Sequence, residues 1–361
     1  MIHSLTLQNF KPFKKQFIQF QSLTVLSGLN STGKSSTLQS LLLLRQSYQQ
    51  DLLVEKGLAL NGDLVCIGTA KDALFENAEE DVISFTISGK NGIKNMWNFN
   101  YNMKSDVLEL TSSENNSEIY KLNLFTSNFY YLQAERIGPR TYSKKSDFQV
   151  RTHKQIGTSG EYTAHFLAIY RDQSIPNIEL CHPLAESSEL GFQVEAWMGE
   201  VSPGTRIKIN DNPQLDLMNL QYSYGLSNVY RATNVGFGIS YVLPILVAVL
   251  ASEPGTLILI ENPEAHLHPK GQSQMGQLLA LAASCGVQIV IETHSDHVLN
   301  GIRLAVHSGK LKPQDVQLHF FQKDQQGQIE VISPKIDKNG RINQWPAGFF
   351  DQTQKDLIQL M

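Results

Sequence analysis

SLTVLSGLNSTGKSS, residues 22–36, decides how the rest of the chain is read. Leu23 to Leu26 fit a short strand, a glycine-bounded turn follows, and the next segment carries Leu38, Leu41 and Leu42 on one side of a helix. Within it, Gly28, Leu29, Asn30, Ser31, Thr32, Gly33, Lys34 and Ser35 match G-x-x-x-x-G-K-[ST] in full, in the strand–turn–helix setting the motif requires. The chemistry explains the residue types. Glycines let backbone N–H groups turn toward phosphate oxygens, the helix N-terminus adds a positive end, a lysine reaches the β/γ-phosphates, and a serine hydroxyl is a ligand for Mg²⁺. The loop from Gly28 to Ser36 is therefore expected to cradle ATP, with Asn30, Ser31, Thr32 and Ser36 beside the glycines, Lys34 and Ser35. A chance turn is the competing reading, and the flanking strand and helix weigh against it.

Composition sets the outer bounds. The 361 residues, 18% charged and 41% hydrophobic, suit a folded globular protein with a substantial core rather than long disorder. A net charge of −4 gives no global electrostatic case for nucleic acid, so any such contact must come from a local patch. Cys66, Cys181 and Cys285 lie far apart and form no ligand cluster, which argues against a disulfide framework or a zinc site and suggests a reducing cytoplasm. The opening MIHSLTLQNFKPFKK has no apolar run for a secretory signal, and Ile239 to Ala251 is too short for the ~20 residues of a membrane span.

The pattern along the chain predicts an α/β fold. Leu5, Leu7, Ile18 and Phe20 mark early strands, and VISFTIS, MWNFNYN, VLELT, IYKLNLF and FYYL, separated by GKNG and SSENNS, predict an antiparallel β lobe over 81–132. Residues 136–230 mix helix-compatible runs with Pro- and Asn-rich breaks and sustain no heptads, so a helical or irregular insertion is expected in place of a coiled-coil arm. From Tyr241 an apolar helix, a strand from Leu257 to Glu261, a helix with Met275, Leu278 and Leu279, a strand from Val287 to Glu292 and a helix with Val298, Leu299, Ile302 and Val306 predict a parallel sheet with crossover helices. VQLHFFQKDQQGQIEVIS then predicts a β-rich appendage, followed by GRINQWPAGFFDQTQKDL.

With LTLQNFKPF ahead of the loop, the N-terminus resembles the SMC, RecF and OLD-like group of ABC-type ATPases. The resemblance implies a P-loop NTPase head divided at 1–135, an insertion at 136–230, a second half of the head at 231–311 and an appendage at 312–361. WPAGFFDQ resembles an uncharacterised domain that ends a bacterial subset of these ATPases, and no Toprim-like acidic cluster follows His294. By the same resemblance YLQAERIGPR occupies the Q-loop, making Gln133 the residue that approaches Mg²⁺ and the attacking water; a buried strand-end glutamine is the alternative. NVGFGISYVLPILVAVL stands at the signature motif, where Asn234, Gly236 and Gly238 would cap the ATP of a second subunit although the usual serine is missing; a glycine-rich helix entry needed only for packing is the alternative. IVIETHSDHVLN makes His294 the switch histidine, against a satisfied structural histidine.

LILIENPEAHLHP, residues 257–269, carries the remaining question. Aligned on Pro263, Glu261 is the Mg²⁺-organising acid, Asn262 occupies the place of the usual catalytic glutamate, and Glu264 lies one position past the proline. An amide orients a water but does not accept its proton. Three readings stand: slow hydrolysis with Asn262 in place, Glu264 as base, or a shifted register in which Glu261 is itself the base. The metal set implied is Ser35, Gln133 and Glu261. His266 and His268 raise a zinc possibility, but the resemblance places them in a D-loop at a dimer interface.

The expected function is an ATPase using ATP and Mg²⁺, forming a homodimer around nucleotide and regulating a partner effector or a DNA transaction, in bacterial antiviral defence or DNA repair by family analogy. The rival is a hydrolysis-poor ATP switch that acts by binding alone. A small-molecule kinase with the same loop is disfavoured, because the signature and H-loop resemblances have no role in one. Arg136, Arg140, Lys144, Lys145, Arg151 and Lys154 form the one basic run suited to DNA backbone, and Glu186, Glu189, Glu195 and Glu200 an acidic stretch suited to a partner; both are also what a solvated face looks like.

Overall fold

The structure is a computed structural model that describes residues 1–114 and 116–360; Asn115, within the predicted SSENNS turn, lies outside the described residues. The chain forms two compact units, one of Met1–Phe129, Val316–Lys335 and Asn343–Met361, the other of Tyr130–Asp315 and Ile336–Ile342.

In the first unit, six antiparallel strands run in the order Phe13–Gln19, Ile2–Phe10, Val82–Gly89, Lys94–Asn100, Val107–Ser113, Gly57–Ala59. Period-two burial in Val82–Gly89 and Lys94–Asn100 places Ile83, Phe85, Ile87, Trp97 and Phe99 inside. This is the predicted β lobe with two corrections: IYKLNLF begins in a 3₁₀ turn, Ser117–Lys121, and forms no strand, and FYYL, Phe129–Leu132, belongs to a different sheet, beside Leu257–Glu261. Tyr120 stacks there on Tyr48 at 4.8 Å, and Leu122, Leu124 and Phe125 are buried without ladder partners of their own.

Beside the lobe, Leu23–Gly28 pairs in parallel with Val316–Lys323, from Leu23 opposite Val316 to Gly28 opposite Phe321. The C-terminal β-rich piece is thus not an appendage: its first strand completes the sheet that ends in the glycine loop, and Ile329–Ile332 extends it antiparallel. The helix Lys34–Gln49 follows the loop, and its consecutive Leu41, Leu42, Leu43 and Leu44 are all fully buried. A helix apolar on every side is one packed on every side.

In the second unit, Leu257–Glu261 and Gln288–Glu292 lie parallel in register, with Phe129–Leu132 flanking the former. Their continuous apolar runs are those of strands covered on both faces. Helices Phe237–Leu250, Pro269–Ser284 and Asp296–His307 serve as the expected crossovers. Residues 136–230 hold two helices, Thr163–Tyr170 and Leu190–Val201, and an antiparallel hairpin, Thr205–Asn212 with Leu217–Tyr224, which the sequence reading had left irregular. No helix among the described residues is long and apolar enough to cross a membrane.

Helices Pro269–Ser284 and Asp296–His307 touch backbone to backbone. A Cβ on Gly276 would stand 2.2 Å from the Val298 carbonyl oxygen, and one on Gly301 2.1 Å from that of Ser273. Gly301→Ala therefore forces the helices apart. It is expected to lower stability by about 2 kcal/mol or more, the scale of overpacking in a close-packed interior, measured as a urea midpoint. Gly236→Ala, where φ is −62° and nothing lies within 4 Å, is the control expected to leave the midpoint in place.

Candidate functional site

The first unit contributes a loop built for an anion. Gly28 has φ 140° and Gly33 φ 100°, conformations that L side chains rarely adopt. Space excludes side chains as well: a Cβ on Gly28 would lie 2.2 Å from the Phe321 carbonyl oxygen, and one on Gly33 2.4 Å from the Phe13 ring. Phe13, from a strand 20 residues upstream of the glycine, therefore walls the turn. Thr32 Oγ1 donates to the Leu29 carbonyl at 2.7 Å, closing the loop on itself. No side chain caps the helix that begins at Lys34, and its first turn holds no acidic residue. Lys34 is buried, and its Nζ donates to the loop's own carbonyls, Leu29 at 2.7 Å and Gly28 at 3.1 Å. Asn30, Ser31 and Ser35 are exposed around it, Ser31 with φ 61°, and Ser36 is half-buried.

The second unit gathers Gln133, Glu261, Asn262, Glu264 and His294 at the carboxyl ends of its parallel strands, the usual ligand edge of such a sheet. Glu261 Oε1 accepts from the Tyr131 hydroxyl at 2.8 Å and Oε2 from the Ala134 N–H at 3.1 Å. Burial first, then the Glu261 charge, pushes the Tyr131 hydroxyl far above its ordinary range, so it remains a donor. Glu264 spans two segments: Oε2 accepts from Thr293 Oγ1 at 2.7 Å and Oε1 from the His294 N–H at 2.8 Å. It braces the turn after one strand to the loop after the next. His294 itself is exposed at that loop.

Asn262 has φ 45°, in the left-handed region. Among residues with a Cβ, asparagine tolerates that region best. Its N–H donates to the Glu292 carbonyl at 2.8 Å.

At the centre is a residue the sequence reading had assigned elsewhere. Arg136, grouped with the basic run for DNA, is 2% exposed and spends its guanidinium inside the protein. Nη1 donates to the Glu261 carbonyl at 2.6 Å and to that of Gln133 at 3.0 Å, Nη2 to that of Asn262 at 2.7 Å, and Nε to that of Tyr241 at 3.1 Å. A rigid planar fork is what lets one side chain join the Gln133 segment, the Phe237–Leu250 helix and the turn at Glu261 and Asn262. Burial pulls the group down to about 10, partly opposed by Tyr241, Glu264 and Glu261, which leaves it charged at neutral pH. Of the remaining basic run, Lys145 pairs with Asp211 at 2.8 Å, Arg151 with Asp147 at 3.2 Å and Lys154 with Glu253 at 3.9 Å.

Gly236 caps the helix Phe237–Leu250 from an open, exposed position, and Asn234 is exposed beside it. Gly238 is confined: a Cβ would lie 2.6 Å from the His266 carbonyl oxygen. The His266 ring packs edge-on against Tyr241 at 4.6 Å, and His268 Nδ1 accepts from the Lys270 N–H. These histidines serve a turn and a helix cap. Among the described residues no three His, Cys, Asp or Glu side chains are grouped to hold a metal.

Replacing Arg136 removes a cation from four carbonyls at once, of which that of Asn262 keeps the Ala265 N–H at 3.1 Å, and hydrogen bonds to a charged group are worth about 1.5–3 kcal/mol each. Arg136→Ala is expected to lose at least about 3 kcal/mol in denaturant unfolding. Arg136→Lys keeps a charge but not the fork and should recover less than half of that loss; full recovery by lysine would show that charge alone matters.

Known families match three stretches of the chain. The profile of the family described as "AAA ATPase domain" matches residues 1–161, that described as "AAA domain, putative AbiEii toxin, Type IV TA system" matches 205–300, and "Protein of unknown function (DUF3696)" matches 311–360. No curated protein matches the chain. Among solved structures, an SMC head bound to the C-winged helix domain of ScpA is similar at a TM-score of 0.54 and 14% identity, over 93% of this chain and 98% of that one. The Pyrococcus furiosus Smc head with an extended coiled coil, bound to the C-terminal domain of ScpA, is similar at 0.54 and 13%, over 99% of each. At such identities the likeness establishes the fold, that of an ABC-type P-loop ATPase head. The chain thus carries AAA ATPase domain matches over 1–161 and 205–300 and a DUF3696 match over 311–360, on the fold of an ABC-type ATPase head similar to that of SMC proteins.

Proposed function

We propose that this protein binds ATP with Mg²⁺ and hydrolyses it slowly, dimerising on nucleotide to control a partner effector. The Gly28–Ser36 loop carries the reading: two glycines that no other residue can replace, an uncapped helix N-terminus, and an ammonium resting on carbonyls that a phosphate would displace. The donor chemistry suits Mg²⁺, which is held by one or two carboxylates with phosphates and water. Ser35, Gln133 and Glu261 would hold it, and the ion would neutralise charge developing on the transferred phosphoryl group. The chain's own part is to orient a water at Asn262 and to donate from His294.

Dimerisation is supported by the open N-terminus of Phe237–Leu250, where Asn234 and Gly236 stand beside a largely exposed Phe237, and by the exposure of Leu226 and Val229 earlier in the chain. A partner is argued by analogy with SMC heads solved bound to ScpA domains. Burial of Arg136 and the ion pairs of Lys145, Arg151 and Lys154 leave less of the basic run open to DNA, and a setting in antiviral defence or repair rests on family analogy. The binding-only switch is favoured by one observation: both oxygens of Glu264 are already committed to Thr293 and His294, so this carboxylate is not poised as a base.

Lys34→Ala is expected to weaken ATP affinity roughly tenfold to a hundredfold, the worth of lost charge-assisted hydrogen bonds, by fluorescent-nucleotide titration, and to abolish steady-state turnover. Mass in solution with and without ATP reports dimerisation. Undiminished affinity in Lys34→Ala would remove the basis of the proposal, and ATP-dependent dimers without turnover in the unmodified protein would select the switch.

A further inference from the structure

Both glycines of the Gly28–Ser36 loop lean on phenylalanines from elsewhere in the first unit. The strand Val316–Lys323 sets its Phe321 opposite Gly28, so closely that a Cβ there would stand 2.2 Å from the Phe321 carbonyl oxygen and 2.9 Å from its nitrogen. One residue earlier, Ser27 Oγ donates to the His319 carbonyl at 3.1 Å and pins that register. At the other end of the loop, a Cβ on Gly33 would meet the Phe13 ring at 2.4 and 2.8 Å and Pro12 Cγ at 3.2 Å. The two rings are themselves neighbours, with centroids 6.4 Å apart and planes tilted by 51°, within the range of a favourable aromatic pair. Both are buried. The hairpin end that carries Phe13 is also held to the helix after the loop, because Lys11 Nζ donates to Gln39 Oε1 at 2.6 Å. One chain of neighbours, from Phe321 backbone to Phe321 ring to Phe13 ring, thus joins the loop's first glycine to its last.

We propose that Phe13 and Phe321 are positioning residues for nucleotide binding: the aromatic pair holds the glycine loop in its phosphate-receiving shape, and the C-terminal strand Val316–Lys323 thereby takes part in the site. This rests on the ATP-binding reading above. A loop with glycines at φ 140° and 100° has unusually large backbone freedom to lose. Any of that freedom left in the loop lowers affinity when a phosphate fixes it. Neither ring touches phosphate in this role; Phe13 acts through Gly33, and the Phe321 ring acts through Phe13. The adjacent Phe320 supplies the contrast. It is buried on the same strand, but successive strand residues face opposite ways, and its ring packs edge-on against Phe349 at 5.4 Å rather than on Phe13.

The test is fluorescent-nucleotide affinity beside thermal melting, on the full chain and on Phe13→Leu, Phe321→Leu, their double variant and Phe320→Leu. Phe13→Leu should weaken ATP binding about tenfold and Phe321→Leu about threefold or more, the order of freeing one backbone residue. Because the Phe321 ring acts through Phe13, adding Phe321→Leu to Phe13→Leu should cost less than about twofold more, a non-additivity that independent sites do not show. Phe320→Leu leaves a similar gap in the core and should melt lower, yet bind within about twofold of the parent. A Phe13→Leu that binds within about twofold of the parent overturns the proposal. So does a Phe320→Leu that loses as much affinity as Phe13→Leu, which would make the loss a general softening of the fold, and so do losses that add in full in the double variant. Should Phe13→Leu melt too low to titrate, Phe321→Leu against Phe320→Leu carries the decision, and equal affinities overturn the proposal. A parent chain that binds no ATP defeats the binding reading and this inference with it; a parent that binds, with every variant unchanged, defeats the inference alone.

Discussion

Four carbonyl oxygens converge on one buried guanidinium, and the arrangement of the second unit depends on that convergence. Carbonyls at the end of a strand, near the start of a helix and in two loops share this one cation, and hydrogen bonds to a charged group are worth about 1.5–3 kcal/mol each against a net domain stability of about 5–15 kcal/mol. Arg136 satisfies Gln133, Tyr241, Glu261 and Asn262 together. The geometry of the Glu261 edge is thereby tied to the start of the Phe237–Leu250 helix, whose open end is the proposed sensor of a second copy. The link between that helix and the turn at Glu261 and Asn262 is a rigid planar group rather than flexible packing.

Asn262 has a backbone explanation before it has a chemical one. The turn leaves its strand at φ 45°, donates to the neighbouring strand through its N–H and accepts from Arg136 through its carbonyl. A glutamate there would bear the left-handed penalty of about 1–2 kcal/mol, whereas asparagine bears less of it. Backbone and side chain thus make separate demands on the position, and the amide meets the first while forgoing proton transfer.

The legible parts of the sequence were those whose chemistry is local. A glycine loop needs its glycines at fixed spacing, so Gly28 to Ser35 announced themselves, as did the strands bearing Glu261 and Glu292 through their unbroken apolar runs. Arg136 was misread because a charge run in sequence says nothing of burial: one member turned inward while Lys145, Arg151 and Lys154 stayed near acidic partners. Phe13 gave no sign of walling the loop, since the contact joins segments with no shared pattern. The hairpin Thr205–Asn212 and Leu217–Tyr224 was lost in Asn- and Asp-rich strands whose alternation is weak. The C-terminal strand was taken for an appendage because a parallel partnership with Leu23–Gly28 spans nearly the whole chain and leaves no local trace.

Glu261 illustrates why turnover would be gated rather than merely weak. Its two oxygens are held by a tyrosine hydroxyl that burial and charge keep protonated and by the Ala134 N–H, both from the segment that also carries Gln133 and Arg136. A cation binding this carboxylate competes with two charge-assisted hydrogen bonds, each worth about 1.5–3 kcal/mol. Where the cation takes the lone pairs that now accept from Tyr131 and Ala134, loosening the Tyr131–Arg136 segment would strengthen the cation site, and filling that site would loosen the segment. Such reciprocity is required of any two states linked through a shared group. A nucleotide switch built on it needs no fast chemistry, because its output is carried by which set of partners Glu261 holds.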